Sequence, residues 1–110
     1  MNGDYVLPKI FNPTTLKVIE FFLRKNEEND EGIEYNLSQF AKESGISKGA
    51  LHNAIKILED YGIILSKEKK TNGGYAKIIE IDWENEMVYL LMNTFSAFIK
   101  FVDVYNRSKK

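Results

Sequence analysis

Apolar and polar positions recur along this chain with two periods, and the places where the period changes divide it into segments. Leu16, Ile19, Phe22 and Leu23 fall at helical spacing. They predict a helix that opens at Asn12-Pro13, with Asn12 as its cap, and ends near Lys25 or Asn26. The following NEENDEG stretch (26–32) predicts a surface loop, and Ile33-Glu34-Tyr35 alternates like a short strand. Leu37, Phe40 and Ala41 return to helical spacing behind Asn36, a capping residue whose partner in a capping box would be Gln39. Gly45 stands where a helix end takes a left-handed residue. Ser47 then caps a second helix with Leu51, Ile55 and Leu58 on one face and Lys48, Gly49, His52, Asn53 and Lys56 on another, and Gly62 stops it.

Beyond Gly62 the pattern takes the period of a strand. Ile63 to Lys70 and Tyr75 to Ile81 flank Asn72-Gly73, a pair that signals a hairpin because both residues tolerate positive φ. Ile79 and Ile81 point one way, with Glu80 and Asp82 opposite. The last segment predicts a helix from Trp83 to about Asn106, capped by Asp82, with Glu84 and Glu86 in its first turn and Arg107, Lys109 and Lys110 at its far end. Such a helix is about 36 Å long. Its apolar residues make two stripes: Val88, Leu91, Met92, Phe95, Phe98, Ile99, Val102 and Tyr105 on one, Met87, Leu90, Phe101 and Val104 on the other.

The order Ser-x-x-x-Leu-x-x-x-Ile-x-x-Leu from Ser47 to Leu58, followed by Glu59-Asp60-Tyr61-Gly62-Ile63-Ile64, resembles the helix-turn-helix and exit turn of winged-helix DNA-binding domains. Transcriptional regulators of the MarR and PadR type are the nearest kinds. The resemblance spans roughly residues 13–83. It implies an α+β, mostly α fold: a three-helix helix-turn-helix core with a β-hairpin wing, plus a long C-terminal dimerisation helix. The whole of 1–110 reads as one domain, with an N-terminal arm at 1–12, a winged-helix core at 13–82 and the C-terminal helix at 83–110. The arm holds Tyr5, Val6, Leu7, Ile10 and Phe11, apolar enough to pack on its own domain or on a partner subunit.

Charge sharpens this picture. The net charge of −1 is not that of a general nucleic-acid coat, but it is unevenly spread. Residues 20–36 carry −4 and residues 37–77 carry +3, so positive charge collects on the helix-turn-helix and the hairpin. No Cys and a single His argue against disulfides and against a conventional metal site. The acidic loop lacks the ligand order of a calcium-binding EF-hand. Asp4 and Pro8 interrupt any signal-peptide pattern, and the apolar content of 44% contains no stretch that reads as a membrane span. A cytoplasmic protein is expected, with no cofactor and no membrane contact.

Neither a phosphate-binding glycine loop nor a GxSxG turn is present, and His52 has no orienting acid nearby, so an enzyme is not expected. Binding gives the residues a role instead. A helix fits the major groove of DNA, where the exposed face of the second motif helix can read base edges. In the winged-helix reading Lys48, Gly49, His52, Asn53 and Lys56 meet the duplex, with Asn53 suited to adenine and Lys48 to guanine. Ser38, Gln39 and Ser47 suit phosphates, and Lys67, Lys69, Lys70 and Lys77 on the wing would contact the backbone or follow the minor groove.

One apolar stripe of the last helix exceeds what a small core can bury. It predicts a homodimer formed through Met87, Leu90, Leu91, Thr94, Phe95, Phe98, Phe101, Val102 and Tyr105; the rival is cover by the N-terminal arm. A dimer would read an inverted repeat with half-sites about 34–36 Å apart, most simply as a repressor, although activation and autoregulation fit the sequence equally well. The alternative class is a winged helix used for protein contact, or a part of a replication or segregation assembly. The absence of Arg between Leu37 and Lys77 keeps that alternative open.

Overall fold

In a computed structural model the chain forms five helices and three strands among the described residues, which are 5–28 and 34–109. In order these are α1 (Val6–Ile10), α2 (Pro13–Glu28), β1 (Tyr35–Asn36), α3 (Leu37–Ser44), α4 (Lys48–Asp60), β2 (Ile64–Thr71), β3 (Gly74–Ile81) and α5 (Glu86–Ser108). Most of the acidic loop, and Ile33 of the expected strand, lie outside the described residues, as do 1–4 and Lys110.

The three strands form one antiparallel sheet in the order β1-β3-β2. Tyr35 pairs with Ile79, and β2 and β3 pair from Ile64–Ile81 out to Thr71–Gly74. Alternation then places Ile64, Ile79 and Ile81 on the face toward the helices and Lys67, Lys69 and Glu80 on the outward face. Three helices with a hairpin wing and a long C-terminal helix make this a winged helix.

The core is a single cluster between α2, α3, α4 and the inner sheet face. Phe40 is fully buried and its ring meets Phe21, Phe22 and Tyr35 at centroid distances of 4.6, 5.0 and 5.5 Å. Leu51, Ala54, Ile55 and Leu58 bring α4 into the same cluster, Ile10 closes it from α1, and Val88 and Met92 close it from α5. Thr15, the one buried polar residue among those described, donates its hydroxyl to the carbonyls of Ile10 and Asn12. That bond ties α1 to the start of α2, whose cap is Asn12 Oδ1 accepting from the Thr15 amide at 2.9 Å.

Several local expectations shift. The buried stripe of α2 is Thr15, Val18, Ile19, Phe22 and Leu23, while Leu16 turns outward, and the helix continues to Glu28. The capping box at α3 is half made: Asn36 Oδ1 accepts from the Gln39 amide at 2.7 Å, but the Gln39 side chain donates to Glu43 instead of returning to Asn36. At the hairpin tip Asn72 and Gly73 have negative φ and the positive φ of 133° falls on Gly74, so the turn differs from the one expected for Asn-Gly. The cap of α5 is Asn85 and not Asp82: its Oδ1 accepts from the Met87 and Val88 amides, which leaves Glu84 outside the helix.

The two stripes of α5 also divide differently. Val88 and Met92 are buried, Leu91, Phe95, Ile99 and Val102 are half-buried, and Met87, Leu90, Thr94, Phe98, Phe101, Val104 and Tyr105 are exposed. Phe98 and Tyr105 therefore join the outer face; the core ends at the far side of α2, so the second half of α5 passes beyond it. That half is tied down by charge. Arg24 donates to both oxygens of Asp103 at 2.9 and 3.1 Å, and Lys100 meets Glu27 at 3.2 Å. The radius of gyration, 15.1 Å, exceeds the roughly 13 Å of a compact chain of this size because α5 and the hairpin project.

By length and composition α5 is apolar enough to cross a bilayer, contrary to the reading of the sequence. Its ion-paired Lys100 and Asp103 and its buried Val88 and Met92 fit a helix packed on a domain better than one in lipid.

Candidate nucleic-acid interface

The turn between α3 and α4 is built by short-range bonds that fix the start of α4. Gly45, at φ 78°, lets its amide close on the Ala41 carbonyl at 3.1 Å, a conformation that would strain any residue with a Cβ. Ser44 Oγ accepts from the Ile46 amide at 3.2 Å, and Ser47 Oγ accepts from the Ala50 amide at 3.3 Å. With its apolar face buried against α2 and α3, α4 cannot roll, so Lys48, Gly49, His52, Asn53 and Lys56 are all turned to solvent.

Leu37, Ser38, Lys48, Gly49, Leu51, His52 and Asn53 line an open groove of about 590 Å³ between the first turns of α3 and α4. The fold thus brings together five of the candidate residues: Ser38, Lys48, Gly49, His52 and Asn53. Gly49 leaves the backbone of the first turn bare, since a Cβ there would meet nothing within 4 Å. Gln39, Ser47 and Lys56 are exposed on the same helices but do not line the groove. Lys48 and Lys56 make no ion pair among the described residues.

The wing lysines are placed otherwise. Lys77, half-buried on the inner face, reaches Glu59 at the end of α4 at 3.4 Å. On the outward face Lys67 meets Glu34 at 2.6 Å and Glu80 at 3.4 Å, and Lys69 meets Glu34 at 3.7 Å. The Lys67 ammonium holds the Glu34 carboxyl below its ordinary range against a smaller opposing effect of desolvation, and Glu34 in turn raises Lys67. Lys70 alone of the four makes no ion pair among the described residues. The sequence placed Leu37 and Leu51 on apolar faces but not in the groove, and it did not pair Glu34, Glu59 or Glu80 with the wing lysines. Glu80 was accessible to it, because the hairpin register sets it diagonal to Lys67.

On the other side of the molecule α1, α2 and α5 share an apolar surface. Phe11 packs edge-on against Phe95, with centroids 5.6 Å apart, and Leu7, Phe11, Leu16, Leu91 and Phe95 line one shallow groove. A second groove, of about 340 Å³, runs between Leu16, Ile19, Phe95, Phe98 and Ile99. The rings of Phe98, Phe101 and Tyr105 stack in a row along the outer edge of α5, where they are exposed among the described residues.

No protein-family model and no curated protein matches the chain. Among solved structures it is similar to a transcriptional regulator homologue from Pyrococcus horikoshii OT3, with a TM-score of 0.57 and 22% identity over 86% of this chain and 88% of that one. It is also similar to a possible transcriptional regulator from Methanosarcina mazei Go1, with a TM-score of 0.60 and 14% identity over 91% of this chain and 80% of that one. At these identities the likeness is one of fold.

Proposed function

We propose that this protein is a sequence-specific double-stranded DNA-binding regulator of transcription, acting without catalysis as a homodimer in the cytoplasm. The observation that carries the reading is the α3–α4 groove. Lys48, Gly49, His52 and Asn53 of α4, a helix whose other face is locked into the core, converge there with Ser38 of α3. In this reading Asn53 pairs with adenine and Lys48 with guanine, Lys56 follows the adjacent phosphates, and the exposed backbone at Gly49 permits close approach. Ser38, Gln39 and Ser47 hold the entry phosphates, and Lys70 reaches the backbone from the wing, with Lys67, Lys69 and Lys77 held back by their acids.

The dimer would form across the apolar surface of α5 and α1. Met87, Leu90, Phe98, Phe101 and Tyr105 are exposed along one long helix, with Leu91, Thr94, Phe95 and Val102 beside them. Soluble monomers rarely leave so continuous an apolar face in water. Twofold pairing there would set two α4 helices toward an inverted repeat, and occupation of a promoter would repress. A MarR- or PadR-like regulator is the family this reading suits. A second reading, a protein-contact module, draws support from the neutralised wing lysines and the net charge of −1.

The test is selection of bound duplexes from a random pool at two salt concentrations, with mass measured in solution. A palindromic sequence enriched by a dimer is the expected result. Asn53→Ala should then cost about 1–3 kcal/mol of discrimination at one base position. A dimer that retains no duplex at low salt would transfer the case to the protein-contact reading.

A further inference from the structure

Glu34 sits just before the edge strand β1, at the end of the acidic stretch, and reaches over β3 to two lysines of β2 at once. Lys67 and Lys69 are two residues apart and so project from the same face of the strand. Glu80, on that face of β3, takes a second hold on Lys67. Ile78, directly opposite Lys67 on the outward face, is buried. The outward side of the wing therefore carries two ammonium groups matched by two carboxylates.

We propose that Glu34 is a restraining residue for DNA binding, one that holds Lys67 and Lys69 against the sheet and sets the strength of the wing's phosphate contact. The proposal rests on the DNA-binding reading. In the free protein it leaves Lys70 as the wing lysine ready for a phosphate. Surface ion pairs are weak individually, so a phosphate can compete for Lys67 and Lys69, but each must first be drawn from a carboxylate. Affinity is thereby lowered for every duplex alike, while base readout stays with α4. The device would suit a protein that must discriminate among sequences, because it trims the contact that carries no sequence information.

The experiment compares the full-length protein with Glu34→Gln, the Lys67→Gln/Lys69→Gln pair and the triple variant on the selected duplex over a salt series. Glu34→Gln should bind about three- to tenfold more tightly near physiological salt. Its slope of log affinity against log salt should steepen by about one to two, one phosphate contact for each lysine released. The lysine pair alone should stay within about twofold of the parent, and in the triple variant the gain should vanish. An unchanged affinity and slope in Glu34→Gln overturns the proposal. So does a gain that persists in the triple variant, since that is only the removal of a negative charge near DNA.

If Glu34→Gln disturbs the fold, Glu34→Asp, whose shorter side chain draws the carboxylate back from both lysines, should steepen the slope in the same direction; an unchanged slope overturns the proposal. Titration of the Glu34 carboxyl by NMR separates this proposal from the reading beneath it. A carboxyl that titrates low in the parent and moves up in the lysine pair supports the restraint, and an ordinary titration in the parent overturns it without reference to DNA. If the titration is low and no variant retains duplex, the DNA-binding reading has failed, and the proposal with it.

Discussion

Helices α4 and α5 are both amphipathic, yet they stand in opposite relations to the core. In α4 the residues Leu51, Ala54, Ile55 and Leu58 are each 1% exposed or less, and apart from Ala50 the exposed residues are polar or glycine. In α5 only Val88 and Met92 are fully buried, while Phe98 and Phe101 are 63% and 65% exposed. The first helix has its apolar needs met within the chain and presents hydrogen-bonding groups. The second has apolar surface in excess and is held along its outer half by Arg24–Asp103 and Lys100–Glu27. In the proposed function α4 enters a polar groove and must not roll, which the burial of its other face prevents, while α5 meets a second copy and keeps part of its apolar face free for it.

The contrast can be broken most directly from the α4 side. Leu58→Ala should lower stability by about 2–5 kcal/mol, because the deleted atoms leave a cavity in a fully packed site. Denaturant unfolding would show it, and a loss under about 1 kcal/mol would mean that α4 is less firmly seated than its burial implies. On α5, Phe101→Glu should leave the unfolding of the isolated chain nearly unchanged. It should convert a dimer to a monomer in sedimentation, with loss of any concentration dependence of Tm. A dimer of unchanged mass would place the self-contact elsewhere.

A smaller effect sharpens the distinction within α4. Gly49→Ala meets open space at an ordinary backbone conformation, so the helix should gain about 0.5–1 kcal/mol. Duplex affinity should fall in the same variant if the backbone there approaches DNA. Stability and binding moving in opposite directions would mark Gly49 as a contact residue.

The smallest effect concerns the tether of α5. Asp103 is held below the ordinary carboxylate range by the Arg24 guanidinium, and Arg24 is raised in return by Asp103 first and Glu20 second. A carboxylate depressed on folding contributes stability above its unfolded value and loses it as pH falls through the folded one. The Tm difference between the parent and Asp103→Asn should therefore be present at neutral pH and shrink below about pH 4. A difference independent of pH would attribute the effect to packing.

What the sequence determined by itself lies within a few residues of each signal. Asn12, Asn36, Gly45, Ser47 and Gly62 mark helix ends because caps and left-handed turns are bonds between near neighbours. The hairpin and the face of α4 followed from spacing, and with that face Lys48, Gly49, His52 and Asn53 of the groove. Where two local solutions compete at similar energy the reading slipped by a turn, as with Asp82 and Asn85 at the start of α5, or by a turn type, as with Gly74.

Only the tertiary structure decided which way each long helix rolls and which charges meet. Leu16 and Phe98 look like core residues by spacing, but in the fold both are exposed and line a groove between α2 and α5. Glu34 and Lys67, Glu59 and Lys77, and Arg24 and Asp103 are far apart in sequence, and the Coulomb energy that pairs them acts only after the sheet and helices have brought them within a few ångströms. Periodicity is a property of the chain, whereas the neutralisation of the wing is a property of the fold.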